Sequence, residues 1–171
     1  MLFSDFLKAT VLISAAAATA LAVVTIAGIA SSDDTTPLYV ALGWWLVAGA
    51  YGVFAGRKRQ VTQAIGRLLA DARSEPTLPE IRPGRILLNR LWPMLVPTIA
   101  AGALAWLVPQ VPAIAAGFAI IWALSWRRQD VAVTAIEERD GARFYVKRTA
   151  PWRPIELMRT PGLRSDRLGP P

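Results

Sequence analysis

Residues 9–30 read ATVLISAAAATALAVVTIAGIA, a run without one charged side chain. At about 1.5 Å per residue, these roughly 22 residues make a helix of about 33 Å, enough to cross a hydrocarbon layer of about 30 Å. The rival reading is a secretory leader, with Lys8 as its basic start and Gly28-Ile29-Ala30 as a cleavage site. Leader cores are usually about 7–15 residues, and this run is longer. The stretch therefore predicts a first transmembrane helix.

Three further apolar runs follow it. The polar connection at 31–37, Ser-Ser-Asp-Asp-Thr-Thr-Pro, ends in a helix start: the Thr36 hydroxyl can cap free amides, and Pro37 loses nothing at a first helical position. The second run covers 37–56 and stops at Arg57-Lys58-Arg59. Within it, Ala48, Gly52 and Gly56 recur every four residues, a small-residue stripe where another helix backbone can approach closely. The third run covers 91–108. Pro93 falls in what this reading takes as its first turn, and Pro97 lies deeper, where its missing N–H frees the Pro93 carbonyl and predicts a kink. The fourth covers 112–126, separated from the third only by Pro109-Gln110-Val111-Pro112. Both are short for a span, which normally needs roughly 17–25 residues. A full crossing and a re-entrant wedge both remain open. The cost of unmet turn carbonyls in lipid favours the crossing.

Charge supplies the topology. Of the 19 Lys and Arg, one precedes the first run, eight lie in 57–90, ten lie from Arg127 onward, and the two short loops at the other end hold none. The positive-inside rule then places both termini in the cytoplasm. Trp92, Trp106 and Trp126 sit near segment ends, as interfacial anchors do. Trp44 and Trp45 lie deeper and read as packing residues. Composition agrees: 54% of the 171 residues are hydrophobic and 18% charged, where soluble domains carry roughly a quarter charged. Arginine far outnumbers lysine and alanine is abundant, which points to a GC-rich bacterial genome and so to the bacterial inner membrane.

The cytoplasmic stretches carry local structure. In 57–90, Val61, Ile65, Leu68, Leu69 and Ala72 fall on one helical face, predicting an amphipathic helix lying in the membrane interface. The alternative packs it on the protein's own tail. Pro76, Pro79 and Pro83 break regular structure after it. In the tail, β-branched Val131, Val133, Thr134 and Ile136 precede Asp140-Gly141, a two-residue hairpin turn that sets Glu138 opposite Arg143 and Ile136 opposite Tyr145. A short third strand is expected around residues 155–158. The alternative continues the fourth helix to about Glu138, with Gly141 just past its end.

The expected fold is thus an all-α integral membrane protein: two transmembrane hairpins (1–56 and 91–126), a basic cytoplasmic loop with an interfacial helix (57–90), and a basic tail with a small β-hairpin (127–171). Arg57, Lys58, Arg59, Arg67, Arg127 and Arg128 are the expected contacts for anionic lipid headgroups, each worth about 1 kcal/mol near such a surface.

Function is constrained mainly by what is missing. With no Cys and no His, disulfides, thiol catalysis, Cys/His zinc sites and imidazole chemistry are excluded. No P-loop, Gly-x-Gly-x-x-Gly or Gly-x-Ser-x-Gly occurs. No charged residue lies inside the four runs, which argues against a proton-coupled carrier. Ser14, Thr19, Thr25, Tyr51, Thr98 and Ser125 are the polar residues within them and read as bonding their own helices or a neighbour. Asp33 and Asp34 offer a hard cation too few ligands, and the tail's Glu137, Glu138, Asp140 and Glu156 have arginines beside them. The net charge of +7 reads as positive-inside bias rather than a nucleic-acid surface. The expectation is a non-enzymatic membrane protein without cofactor or metal that docks on a larger assembly. The alternative is a homo-oligomeric channel or transporter for a small solute.

Overall fold

The computed structural model describes residues 1–31, 34–57, 60–74, 83–108, 110–147, 149–150 and 152–161. Among these residues six helices and three short strands follow one another: α1 (Phe3–Ala30), α2 (Thr36–Ala55), α3 (Gln63–Ala70), β1 (Arg73–Ser74), α4 (Pro83–Ala103) running into a 3-10 turn (Leu104–Trp106), α5 (Gln110–Trp126), α6 (Gln129–Asp140), β2 (Ala142–Val146) and β3 (Leu157–Pro161). Among the described residues three helical runs, Phe3–Ala30, Thr36–Ala55 and Pro83–Trp106, are long and apolar enough to cross a membrane. α5 is equally apolar in sequence but has 17 residues.

Small side chains govern how the long helices pack. α5 runs between α1 and α2 along both, and α4 packs on α1 and α5. Leu21, Ala101 and Ala116 form the buried centre, with Trp45, Val111 and Ala115 against it. A methyl group at Gly52 would lie 2.8 Å from Leu124 Cβ, and one at Gly56 would meet the Leu124 carbonyl oxygen. Ala48 is fully buried on the same face. The residues on α2 and α5 that meet, Trp44 with Gly117 and Gly52 and Gly56 with Leu124, rise together in number, so the two helices run parallel. Hydroxyls along the long helices bond their own backbone: Thr10, Ser14, Thr25 and Thr98 donate at 2.8 Å, and Thr19 at 3.0 Å, to the carbonyls four residues earlier. This is the cheapest way to satisfy a hydroxyl in apolar surroundings.

A second core sits at the other end of α1 and is built from large residues. Phe3, Phe6 and Leu7 of α1 join Ile65 of α3, Ile86 of α4, Val133 of α6, Phe144 and Val146 of β2, and Leu157 of β3. The sheet order is β1-β3-β2, with β1 parallel and β2 antiparallel to β3. Ala142, Phe144 and Val146 of β2 alternate inward. The N-terminus adds to the free edge of β2 through the Leu2–Tyr145 bridge, and Val146 N–H donates to the Met1 carbonyl at 3.1 Å.

Three expectations are corrected here. Residues 129–140 are helix, not strand, so the Asp140-Gly141 hairpin does not form. Gly141 instead ends α6 in the left-handed region at φ 59°, and its N–H donates to the Glu137 carbonyl. Glycine suits both structures, because each needs positive φ. Ala132, Val133 and Ile136, three to four apart, give the buried side that a helix requires. β2 pairs with distant β3, Tyr145 opposite Met158 and Arg143 opposite Thr160. Second, α4 starts at Pro83, which puts Pro93 as well as Pro97 inside the helix. Ile86 and Leu87 draw those first turns onto the large-residue core. Third, the apolar side of α3 faces the protein's own core. Ile65 is buried there, with Val61, Leu68, Leu69 and Ala72 packed around it.

Candidate functional site

The sheet end gathers most of the polar chemistry, and long side chains rather than ion pairs organise it. Gln129, buried at the start of α6, accepts from the Thr62 N–H at 3.1 Å and donates to the Gln60 carbonyl at 3.4 Å. It thereby pins the segment leading into α3. Arg128 donates to the Arg57 carbonyl at 3.2 Å, holding the exit of α2. Arg90 reaches from α4 to the carbonyls of Arg153 and Pro154 and to the Thr149 hydroxyl, while Asn89 donates to the Thr149 carbonyl at 3.0 Å. The four contacts fix the loop before β3 against α4.

Glu137 accepts from the Phe144 N–H at 3.0 Å and so ties α6 to β2. Partial burial raises its pKa; the Phe144 N–H and Arg143 lower it, and Asp5 of α1 adds to the rise. Arg139 and Asp140 pair at 2.8 Å on the exposed end of α6. Among the described residues no three Asp, Glu, His or Cys lie close enough together to hold a metal.

Between α4 and the fixed loop lies a groove of about 520 Å³ lined by Arg85, Leu88, Asn89, Trp92 and Trp152. Trp152 is 82% exposed and Trp92 47%.

The residues singled out in the sequence scatter around this end. Arg57 and Arg67 are exposed. Arg127 is half-buried, and its Nε has no hydrogen-bond partner among the described residues. Lys58, Arg59 and Asp33 lie outside the described residues. Ala48, Gly52 and Gly56 face α5. Pro97 is exposed on the outer side of α4. Trp44 and Trp45 donate their indole N–H groups to the Ile114 and Ala113 carbonyls at 3.2 and 2.8 Å. Sequence reading did not single out Asn89, Arg90, Gln129 or Trp152. The bonds of Asn89, Arg90 and Gln129 join positions about sixty to seventy residues apart, and only the large polar side chains beside apolar runs hinted at them.

No family model, curated protein or solved structure matches this chain.

Proposed function

We propose that this chain is a four-span protein of the bacterial cytoplasmic membrane, with both termini inside, which serves without catalysis as an accessory or scaffold component of a larger membrane assembly. The observation that carries it is the shared core at the sheet end. Phe3 and Leu7 at the start of α1 are packed among residues of α3, α4, α6 and the sheet, and α1 runs on from that core for 28 residues without a break. A partner seated on the sheet end therefore acts directly on the membrane helices.

Parity supports four crossings. Leu2, α3, the start of α4 and the sheet all meet at one end, so α1 with α2, and α4 with α5, each leave that end and return to it. The parallel register supports a full crossing over a wedge. Gly52 and Gly56 lie beside Leu124, which puts Gln110 level with about residue 40, so the α4–α5 tip falls only about 6 Å short of the start of α2.

The outer side of α2 is the helix surface offered to a partner or to lipid. Tyr39, Val40, Leu46, Val47, Tyr51 and Phe54 are all exposed there. Against a passage within one chain stand the hydroxyls bonded to their own helices and the α2–α5 contact closed by Gly52, Gly56 and Gly117.

The test is native mass measurement of the tagged protein in mild detergent, together with a photo-crosslinker in place of Tyr51. A stoichiometric second protein that also crosslinks at Tyr51 supports the reading. A clean homo-oligomer that conducts solute in liposomes overturns it.

A further inference from the structure

We propose that the groove between α4 and the loop before β3 binds one anionic phospholipid. Arg85, Leu88, Asn89 and Trp92 are spaced i, i+3, i+4 and i+7, which sets them on one side of α4. The opposite wall is the indole of Trp152. The groove thus carries a guanidinium at one end and an indole at the other, with Leu88 between them. Seven residues of helix separate the two by about 10 Å, the span from a lipid phosphate to the upper carbons of its acyl chains.

Charge selects the occupant. Among the described residues no carboxylate lines the groove, and Arg85 enters no ion pair with another of them. Its neighbour Arg90 is already committed to Thr149, Arg153 and Pro154, and Asn89 to Thr149. Arg85 is therefore the guanidinium left to meet a phosphate. The same bonds hold the Trp152 wall in place before anything binds, which lowers the ordering cost of binding. Indoles favour the headgroup level of a bilayer, and Trp152 is 82% exposed on the loop. A zwitterionic lipid matches the apolar part of the groove equally well but leaves Arg85 facing a headgroup with its own cation.

The site rests on the membrane reading, which carbonate extraction of native membranes tests separately. The direct experiment uses the full chain in nanodiscs containing equal phosphatidylglycerol and phosphatidylcholine, released into the mass spectrometer with bound lipid. The wild type is expected to retain one phosphatidylglycerol in preference to phosphatidylcholine. Arg85→Gln should lower that preference about fivefold, the value of one cation at an anionic lipid surface. Trp152→Ala, a surface change that spares the fold, should reduce retention of both lipids. Arg139→Gln, at the exposed end of α6 and outside the groove lining, should match the wild type. Equal retention of the two lipids by the wild type, or equal losses in Arg85→Gln and Arg139→Gln, overturns the proposal. Displacement of the lipid by excess inorganic phosphate would assign the groove to a free anion and also overturns it.

Discussion

The two cores of this protein are made of different residues. At the sheet end, Phe3, Phe6, Leu7, Ile65, Ile86, Phe144 and Leu157 close on one another. Along the long helices the buried centre is Leu21, Ala101 and Ala116, and the contacts beside it are glycines. On the membrane reading proposed above, the first core lies in water, where burying large apolar side chains is the main gain available, roughly 25 cal/mol per Å². That gain disappears where the alternative neighbour is a lipid tail. Helices there hold together by close backbone approach and by satisfying polar groups internally. The indole N–H bonds of Trp44 and Trp45 to α5 carbonyls belong to that second regime. Two helices, α1 and α4, take part in both; α1 has phenylalanine at its start and alanine and threonine further on.

The contrast is broken most severely by Phe3→Ala. Truncating a buried phenylalanine should cost about 3–5 kcal/mol, and the loss should fall on the sheet end alone. Limited proteolysis should then cut the C-terminal tail while the α2–α5 contact persists. If the whole protein melts as one unit, the two cores are not separate.

Gly117→Ala probes the other core. An added methyl would collide with the Trp44 indole, and overpacking of this kind typically costs about 1–3 kcal/mol. Thermal unfolding in detergent should show the loss, together with a changed tryptophan emission. A neutral result would mean that the α2–α5 contact is loose.

The smallest effect concerns pH. Burial raises the Glu137 pKa, so the folded state holds its proton more tightly than the unfolded chain does. The resulting stabilisation is full below the ordinary glutamate range and is lost as pH rises through the raised value. Glu137→Gln keeps an acceptor for the Phe144 N–H and removes the titration. Stability of the sheet end should then vary less with pH and be no lower at neutral pH. An unchanged pH slope contradicts this.

The apolar half of the molecule was largely legible in the sequence, because hydropathy and length alone locate α1, α2 and the run through Trp106. Gly52 and Gly56, two members of the four-residue stripe, lie against Leu124 of α5. The sheet end was harder. Asp140-Gly141 fits a hairpin and a helix terminus equally well, and the choice is made by β3, more than ten residues beyond it. Phe3, Phe6 and Leu7 carry no pattern of their own, since nothing local shows that Phe144 and Val146 will meet them. The apolar side of α3 was visible, but its destination depended on those same distant partners. Arg90 and Gln129 bond backbone groups far along the chain, and no short-range pattern encodes that.

The central claim is that the sheet end and the α4–α5 tip lie on opposite sides of a membrane. The chain has no cysteine of its own, so single cysteines at Gln110 and at Glu138, both exposed, report without background. In intact cells an impermeant thiol reagent should label Gln110→Cys and spare Glu138→Cys until the membrane is opened. Labelling of Glu138→Cys from outside, or failure of Gln110→Cys to label, would contradict the account.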